Sequence, residues 1–196
     1  MRSLLIVLLH LNINLKVMPI GHLNSTIDKW ITDLKHYDLD QLLAKPDAAS
    51  WSLGQLYKHL IEETNWYFGQ IELCFRSPEN SNQAKYENAN SIFQNNSFPD
   101  KIIKGDPFIS EHVKQPTDCQ SLQVDFQKLK KDANEIWLKI ESTSPIGKSA
   151  HPGLGFLNPV EWFQYAEMHM RHHLKQKGRI DAFLTSRIYN ENSKHL

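Results

Sequence analysis

The sequence predicts an all-α protein built as a four-helix bundle, and three observations support this prediction. Apolar residues recur at three- and four-residue spacing in four long segments, which is the pattern of helices that bury one face. Two of these segments begin with helix-capping residues. The sequence shows no strand alternation, no internal repeat and no glycine-rich phosphate loop. Because a long polar connection joins the second and third helices, an up-down-down-up helix order is predicted.

Composition fits a single domain and argues against two classes of partner. The 196 residues include 22 Lys and Arg and 22 Asp and Glu, so the formal net charge is zero. This balance offers no basic surface for nucleic acid, and no polybasic segment beside an apolar helix indicates a membrane surface. Cys74 and Cys119 are isolated in the sequence, which is typical of a reducing compartment, and we expect a cytoplasmic protein.

Residues 1–17 are predicted to lie outside the folded domain, which then covers residues 18–185. Residues 4–9 are apolar and follow Arg2, as in a signal sequence, but the run is short and no small-residue cleavage site follows it. The run is also too short to span a bilayer. The favoured interpretation is a non-native extension upstream of Met18, with a true signal sequence as the alternative.

The first two helices are predicted from periodicity and from one capping motif. The first helix is expected over residues 21–43. The second begins at Ser52, because Ser52 and Gln55 have the spacing of a capping box, and it runs to Phe75. His59 lies at the edge of its apolar stripe. The apolar positions of the two helices are Ile27, Trp30, Ile31, Leu34, Tyr37, Leu53, Leu56, Leu60, Tyr67 and Ile71.

A long connection over residues 77–120 separates the second helix from the third. It is rich in Asn, Ser, Pro and Gln, and connections of this length inside a compact domain are usually functional or disordered. We expect it to fold back over the bundle as a lid. Its apolar anchors are Phe93, Phe98, Ile102, Ile103 and Phe108.

The third and fourth helices complete the predicted bundle. Periodic apolar residues place the third at residues 121–141. The fourth begins at Asn158, a favoured N-cap, followed by a proline in the first turn and by Glu161 as the capping-box partner. The apolar pattern ends at Leu184, and residues 186–196 are predicted to form a flexible tail.

Three histidines lie within five residues of the fourth helix, and two of them are suited to bind a metal ion. His169 and His173 are four residues apart, so they project from one face about one turn from each other. They also lie on the line of residues predicted to face the core, where an imidazole is costly to bury without a partner. His59 on the second helix could supply a third nitrogen. The pair of His169 and His172 is the geometric alternative, in which His173 would not be a ligand.

Two further residues are weaker candidates for the chemistry. Glu63 lies one turn after His59 on the same face and could orient a ligand histidine or handle a proton, although most single glutamates are simply solvated. His151 precedes the fourth helix in a His-Pro-Gly-Leu-Gly turn. It could contact substrate, but hydrogen bonding to the loop backbone is the favoured interpretation.

Two motifs resemble those of the DinB/YfiT-like superfamily. They are Trp51-Ser-Leu-Gly-Gln-Leu-Tyr-Lys-His59 and His169-x-x-x-His173-x-x-Gln176. The turn His151-Pro-x-x-Gly155, with Glu161-Trp162 after it, further resembles an uncharacterised bacterial branch of that superfamily, a domain of unknown function. The resemblance covers residues 21–184; the N-terminal extension and the long connection depart from the family pattern.

The resemblance implies a four-helix bundle with a three-histidine metal site. One ligand comes from the second helix and two from the last, which assigns His59, His169 and His173. The ion would be a divalent transition metal, zinc or nickel, and the partner a small-molecule substrate. Characterised relatives include thiol-dependent S-transferases and an isomerase that uses a low-molecular-weight thiol, while others were named metal-dependent hydrolases.

We therefore expect a metal-dependent enzyme that activates a thiol or a water molecule. A three-histidine zinc site lowers the pKa of bound water to about 7 and would deprotonate a bound thiol more readily. Thiol transfer is favoured by the resemblance, and hydrolysis is the alternative. A scaffold in which the metal only staples the bundle, and a metal-free cluster of hydrogen-bonded histidines, are the rival interpretations. Bundles of this kind often pair through exposed apolar faces, so a homodimer is also an expected state.

Overall fold

The computed structural model describes residues 19–99, 112–143 and 147–193, and these are predominantly helical. The all-α class is therefore confirmed. The helices are α1 (Pro19–Leu34), α2 (Leu39–Leu43), α3 (Leu53–Arg76), α4 (Glu87–Asn95), α5 (Cys119–Ser142) and α6 (Pro159–Ser193). A short hairpin of strands β1 (Ser149–His151) and β2 (Gly155–Leu157) lies between α5 and α6. No helix in these three segments is both long enough and apolar enough to cross a membrane.

The four long helices enclose one hydrophobic core. Helices α1 and α3 each pack against both α5 and α6, so each long helix has two long neighbours. Tyr57 lies at the centre of the core, edge-on to Trp30 at a ring-centroid distance of 5.1 Å and to Phe126 at 5.3 Å. Its hydroxyl donates to the Trp30 carbonyl at 2.9 Å, because a buried hydroxyl needs a partner. The pairing of α3 with α6 positions the histidines predicted to bind metal.

The predicted first helix is two helices. The chain leaves α1 through a tight turn in which the amides of residues 35–37 bond three residues back. Asp38 then starts α2: its carboxylate accepts from the Gln41 amide at 2.8 Å, and the Gln41 side chain accepts from the Asp38 amide at 3.0 Å. This capping box satisfies the free amides of a new helix start. The prediction of one helix over residues 21–43 was wrong because it followed apolar spacing across that cap.

Helix α3 begins where the sequence predicts it. Ser52 accepts from the Gln55 amide at 3.1 Å, and the Gln55 side chain accepts from the Ser52 amide at 3.2 Å. The same cap ties α3 to the chain before α5, since Gln55 donates to the Val113 carbonyl at 2.7 Å. At Gly54 a Cβ atom would lie 2.6 Å from the ring of Pro116, so this close approach requires glycine.

The connection from residue 77 to 118 contains regular structure that the sequence did not predict. A 3-10 turn at Pro78–Asn80 precedes helix α4, which is capped at its end by Asn96 in the left-handed conformation. Helix α4 contacts α6. Its polar composition and single fully buried residue, Ala89, explain why apolar spacing did not reveal it. The predicted anchors Ile102, Ile103 and Phe108 lie outside the described residues.

The hairpin between α5 and α6 was also missed, because strands of three residues are too short to show alternation. Gly155 begins β2 directly after the turn with a φ of +77°, and a Cβ atom there would lie 2.8 Å from the Ala84 carbonyl oxygen. Only glycine fits that conformation and that approach without strain. Helix α5 agrees with its prediction to within two residues and is capped by Asp118.

Helix α6 starts as predicted but continues further. Asn158 and Glu161 form the expected capping box, with both hydrogen bonds at 2.9 Å. The apolar pattern ends at Leu184, which is buried, and residues 185–190 are exposed, yet the backbone remains helical to Ser193. The predicted tail boundary therefore marks the end of core packing and not the end of the helix.

Candidate metal centre

Three histidines from two neighbouring helices converge on one point. His59 comes from α3, and His169 and His173 come from successive turns of α6. The Nε2 atom of His173 lies 3.2 Å from Nε2 of His59 and 3.1 Å from Nε2 of His169. The candidate ligand atoms all lie within 4.8 Å of one another. The structure thus brings together the three predicted residues, and His172 does not belong to this group.

The spacing of the three nitrogens fits a shared ion. Tetrahedral zinc with Zn–N bonds of about 2.0–2.1 Å places two nitrogen ligands about 3.3 Å apart. The observed separations of 3.1 and 3.2 Å are close to this value. Three convergent imidazole nitrogens are also the donor type that zinc and nickel accept. The residues present therefore fit a divalent transition ion.

The hydrogen bonding of His173 supports the same conclusion. Its Nδ1 atom lies 2.9 Å from Oε1 of Gln176, and an amide oxygen accepts, so the proton is on Nδ1. Nε2 then carries a lone pair, and it faces the Nε2 atoms of both His59 and His169. One lone pair cannot accept well from two donors, whereas three lone pairs directed at one cation are mutually consistent.

Burial keeps these imidazoles in the form that binds metals. Desolvation lowers the pKa of His59 to about 3, and the neighbouring His173 adds to the effect. Desolvation also lowers the pKa of His173 to about 4, although its bond to Gln176 opposes this. The pKa of His169 falls well below its usual value, first through burial and then through the adjacent histidines. All three are neutral at pH 7, as ligation requires.

Aromatic rings hold His169 in place. Tyr165, one turn earlier on α6, stacks nearly parallel to it with ring centroids 6.5 Å apart, and Tyr67 from α3 lies edge-on at 5.5 Å. Its Nδ1 atom is buried and makes no hydrogen bond within the described part of the chain. Tyr165 was not identified from the sequence, although its position four residues before His169 places it on the same face.

Glu63 contacts the site through Tyr67. Its Oε2 atom accepts from the Tyr67 hydroxyl at 2.9 Å, and the Tyr67 ring in turn packs against His169. Burial raises the pKa of the Tyr67 phenol, and the carboxylate of Glu63 adds to this. Glu63 therefore orients a ring that supports a histidine; its role in proton handling stays a prediction.

His151 is separated from His169 by the ring of Tyr165, which contacts both residues. Its Nδ1 accepts from the Gly153 amide at 3.1 Å, so the predicted bond to the loop backbone is confirmed. The ring packs against Trp162 and Tyr165 with centroid distances of 5.3 and 4.8 Å, and burial lowers its pKa to about 4. Tyr165 separates it from His169, and substrate contact by His151 stays a prediction.

Comparison with known proteins does not place the chain in a family. No family model matches the sequence, and no curated protein does so either. The resemblance to DinB/YfiT-like proteins therefore rests on the sequence motifs alone.

The geometry allows an ion that keeps an open position. Within the described residues the group of candidate ligands consists of three histidines, with no cysteine, aspartate or glutamate beside them. Each of the three residues retains some exposed surface. Zinc sites with three protein ligands and a free fourth position are typical of catalysis, whereas structural zinc sites have four protein ligands.

Proposed function

We propose that this protein is a DinB/YfiT-like four-helix bundle in which His59, His169 and His173 hold a divalent transition ion, zinc or nickel. In this proposal it is an enzyme that activates a small thiol, with water as the alternative nucleophile. The main support is that Nε2 of His173 lies 3.1 and 3.2 Å from Nε2 of His169 and His59, with all three candidate ligand atoms within 4.8 Å of one another. The up-down-down-up order belongs to the same proposal, since the connection over residues 77–118 is long enough for α3 and α5 to run in parallel.

An enzyme is favoured over a stapled scaffold by the number of ligands. A purely structural ion would use a fourth protein ligand, but the described group of candidate ligands contains three histidines. A bound ion would supply Lewis acidity, which lowers the pKa of a coordinated thiol or water. The thiol is preferred to water because of the family resemblance alone.

The residues of this chain would fix the site before a substrate arrives. Gln176 sets the tautomer of His173 by accepting from Nδ1, and ligands oriented in this way bind metal more strongly. Tyr67 and Tyr165 fix the plane of His169 from two sides. Because the ligands come from α3 and α6, metal binding would depend on the packing of these two helices.

Elemental analysis of untagged protein tests the metal assignment. Wild-type protein should contain about one zinc or nickel ion per chain, and His59→Ala should contain almost none, because two ligands from one helix are a much weaker site. His172→Ala is the matched control: His172 adjoins His173 but lies outside the group, so this variant should retain the ion. Loss of metal from His172→Ala with retention in His173→Ala would instead support the alternative pair.

Activity is then tested on the metal-loaded protein. Thiol transfer would be supported if the wild-type protein conjugates a small thiol to an electrophile. This activity should be lost in His59→Ala and retained in His172→Ala. Ester hydrolysis without thiol conjugation would favour the hydrolase alternative. Wild-type protein that contains no metal after reconstitution would refute the proposed function.

A further inference from the structure

A phenylalanine from the long connection lies beside the candidate metal centre. Phe98 is edge-on to Tyr165 at a ring-centroid distance of 5.1 Å and to His172 at 5.6 Å. Tyr165 stacks on His169, and His172 is edge-on to His173 at 5.7 Å. Phe98 is thus one ring removed from two of the three candidate ligands, and it is partly exposed. It can therefore contact a molecule that enters from solvent.

Helix α6 anchors the segment that carries Phe98. Gln164 donates to the side-chain oxygen of Asn96 at 2.9 Å, and Arg171 donates to the Asn96 carbonyl at 2.6 Å. Arg171 is itself held by two 2.9 Å hydrogen bonds to the buried carboxylate of Glu167. Paired charges with a planar, two-bond geometry resist reorientation. The chain is therefore held at Asn96 against the helix that carries His169 and His173, and two residues later Phe98 packs on the same helix through Tyr165 and His172.

The charge around the centre selects against cations. Three imidazoles bring no negative charge, so the charge of a divalent ion would remain uncompensated by its ligands. Among the described carboxylates on α3 and α6, Glu167 is paired with Arg171, and Glu63 accepts a hydrogen bond from Tyr67. A cationic group would be repelled, whereas a flat and uncharged group can stack on the aromatic rings.

We propose that Phe98 determines specificity by contacting the flat, uncharged apolar part of a ligand that coordinates the ion through a thiol sulfur. This inference rests on the proposed function and adds the chemical class of the organic group. On the α3 side of the centre, the ring centroid of Trp51 lies 4.8 Å from that of His59. Phe98 is a specificity residue in this account and takes no part in bond making.

Thiol binding to the cobalt-substituted protein tests the inference. Phenylmethanethiol and ethanethiol are titrated separately, and coordination of sulfur is followed through the absorption bands of Co²⁺. In Phe98→Ala the dissociation constant for phenylmethanethiol should rise about three- to tenfold, as expected for the loss of one aromatic contact. The constant for ethanethiol should change by less than about twofold, and Phe98→Leu should be intermediate.

The control is Tyr86→Ala, which removes an aromatic ring that is 57% exposed at the start of α4. It should leave both dissociation constants unchanged. An equal effect of Phe98→Ala on both thiols, or no effect on either, would overturn the inference and leave the metal site intact. If Phe98→Ala loses helical circular dichroism, Phe98→Leu decides by the same criterion. Wild-type protein that binds cobalt but neither thiol would also overturn the inference, whereas failure to bind cobalt would overturn the proposed function itself.

Discussion

Replacement of Lys177 by methionine should destabilise the protein by about 2–3 kcal/mol. Lys177 lies one turn beyond His173 on α6, and its side chain is only 9% exposed. Its Nζ atom donates to the Tyr37 hydroxyl at 2.7 Å and to Asp181 at 2.8 Å, and it lies 3.2 Å from Asp33. Burial alone would lower the pKa of Lys177, but its bonds to Asp181 and Tyr37 outweigh burial and raise it.

The size of this destabilisation depends on how far solvent and other partners can compensate for the lost interactions of Lys177. Removing one partner of a fully buried ion pair costs about 3–5 kcal/mol. Here the Asp181 side chain is 34% exposed and that of Asp33 is 20% exposed, and Asp33 keeps its ion pair with Lys29. Solvent and Lys29 therefore recover part of the loss, which reduces the expected cost to about 2–3 kcal/mol.

Urea unfolding in the presence of a chelator measures this cost without a contribution from metal. The midpoint should fall in Lys177→Met while the slope stays constant. Lys131→Met is the matched control, because Lys131 also pairs with a carboxylate four residues later but is 74% exposed; it should lose less than about 0.5 kcal/mol. Equal losses in the two variants would show that the Lys177 network is screened like a surface pair, and the reasoning would be refuted.

Two further predictions concern the hairpin before α6. Gly155→Ala should lower the unfolding free energy by about 2 kcal/mol, because Gly155 has a positive φ and the Ala84 carbonyl lies close to it. Gly69→Ala is the control: Gly69 lies on an open face of α3, so this variant should raise the unfolding free energy by about 0.5–1 kcal/mol. Similar effects at both glycines would contradict this prediction. Burial lowers the pKa of His151 from 6.5 to about 4, so the unfolded chain takes up the proton first. Its contribution to stability is full above pH 6.5 and is lost as the pH falls towards 4. The decline in urea midpoint over this range should be smaller in His151→Gln, and an unchanged decline would exclude the assignment.

The residues of the candidate site could be predicted from the sequence more completely than the fold around them. His169 and His173 are related by helical spacing within one segment, so their common face follows from the chain itself. His59 was added because it lies at the edge of another apolar stripe, and α3 does pack against α6. Gln176 belongs to the motif of the last helix, but its contact with His173 depends on a side-chain orientation that spacing does not define.

Helix α4, the hairpin and the break after α1 could not be read from apolar periodicity. Helix α4 is short and polar, and its position is set by contacts from Gln164 and Arg171 to its C-terminal end. The hairpin depends on a backbone bridge between Lys85 and Gly155, two residues far apart in the sequence. Patterns within a window of ten to twenty residues contain no information about such partners.

The sequence by itself determined where two of the long helices, α3 and α6, begin and which of their residues face inward. Capping at Ser52 and Asn158, and the one-turn spacing of His169 and His173, involve neighbours only three or four residues away, so local chemistry is sufficient. The tertiary structure decided that Nε2 of His173 lies within 3.2 Å of Nε2 of both His59 and His169. It also decided that Phe98 packs against Tyr165 and His172, which are in contact with those histidines. Those distances depend on how two helices and a distant connection pack together, and packing is settled by the sum of contacts throughout the core.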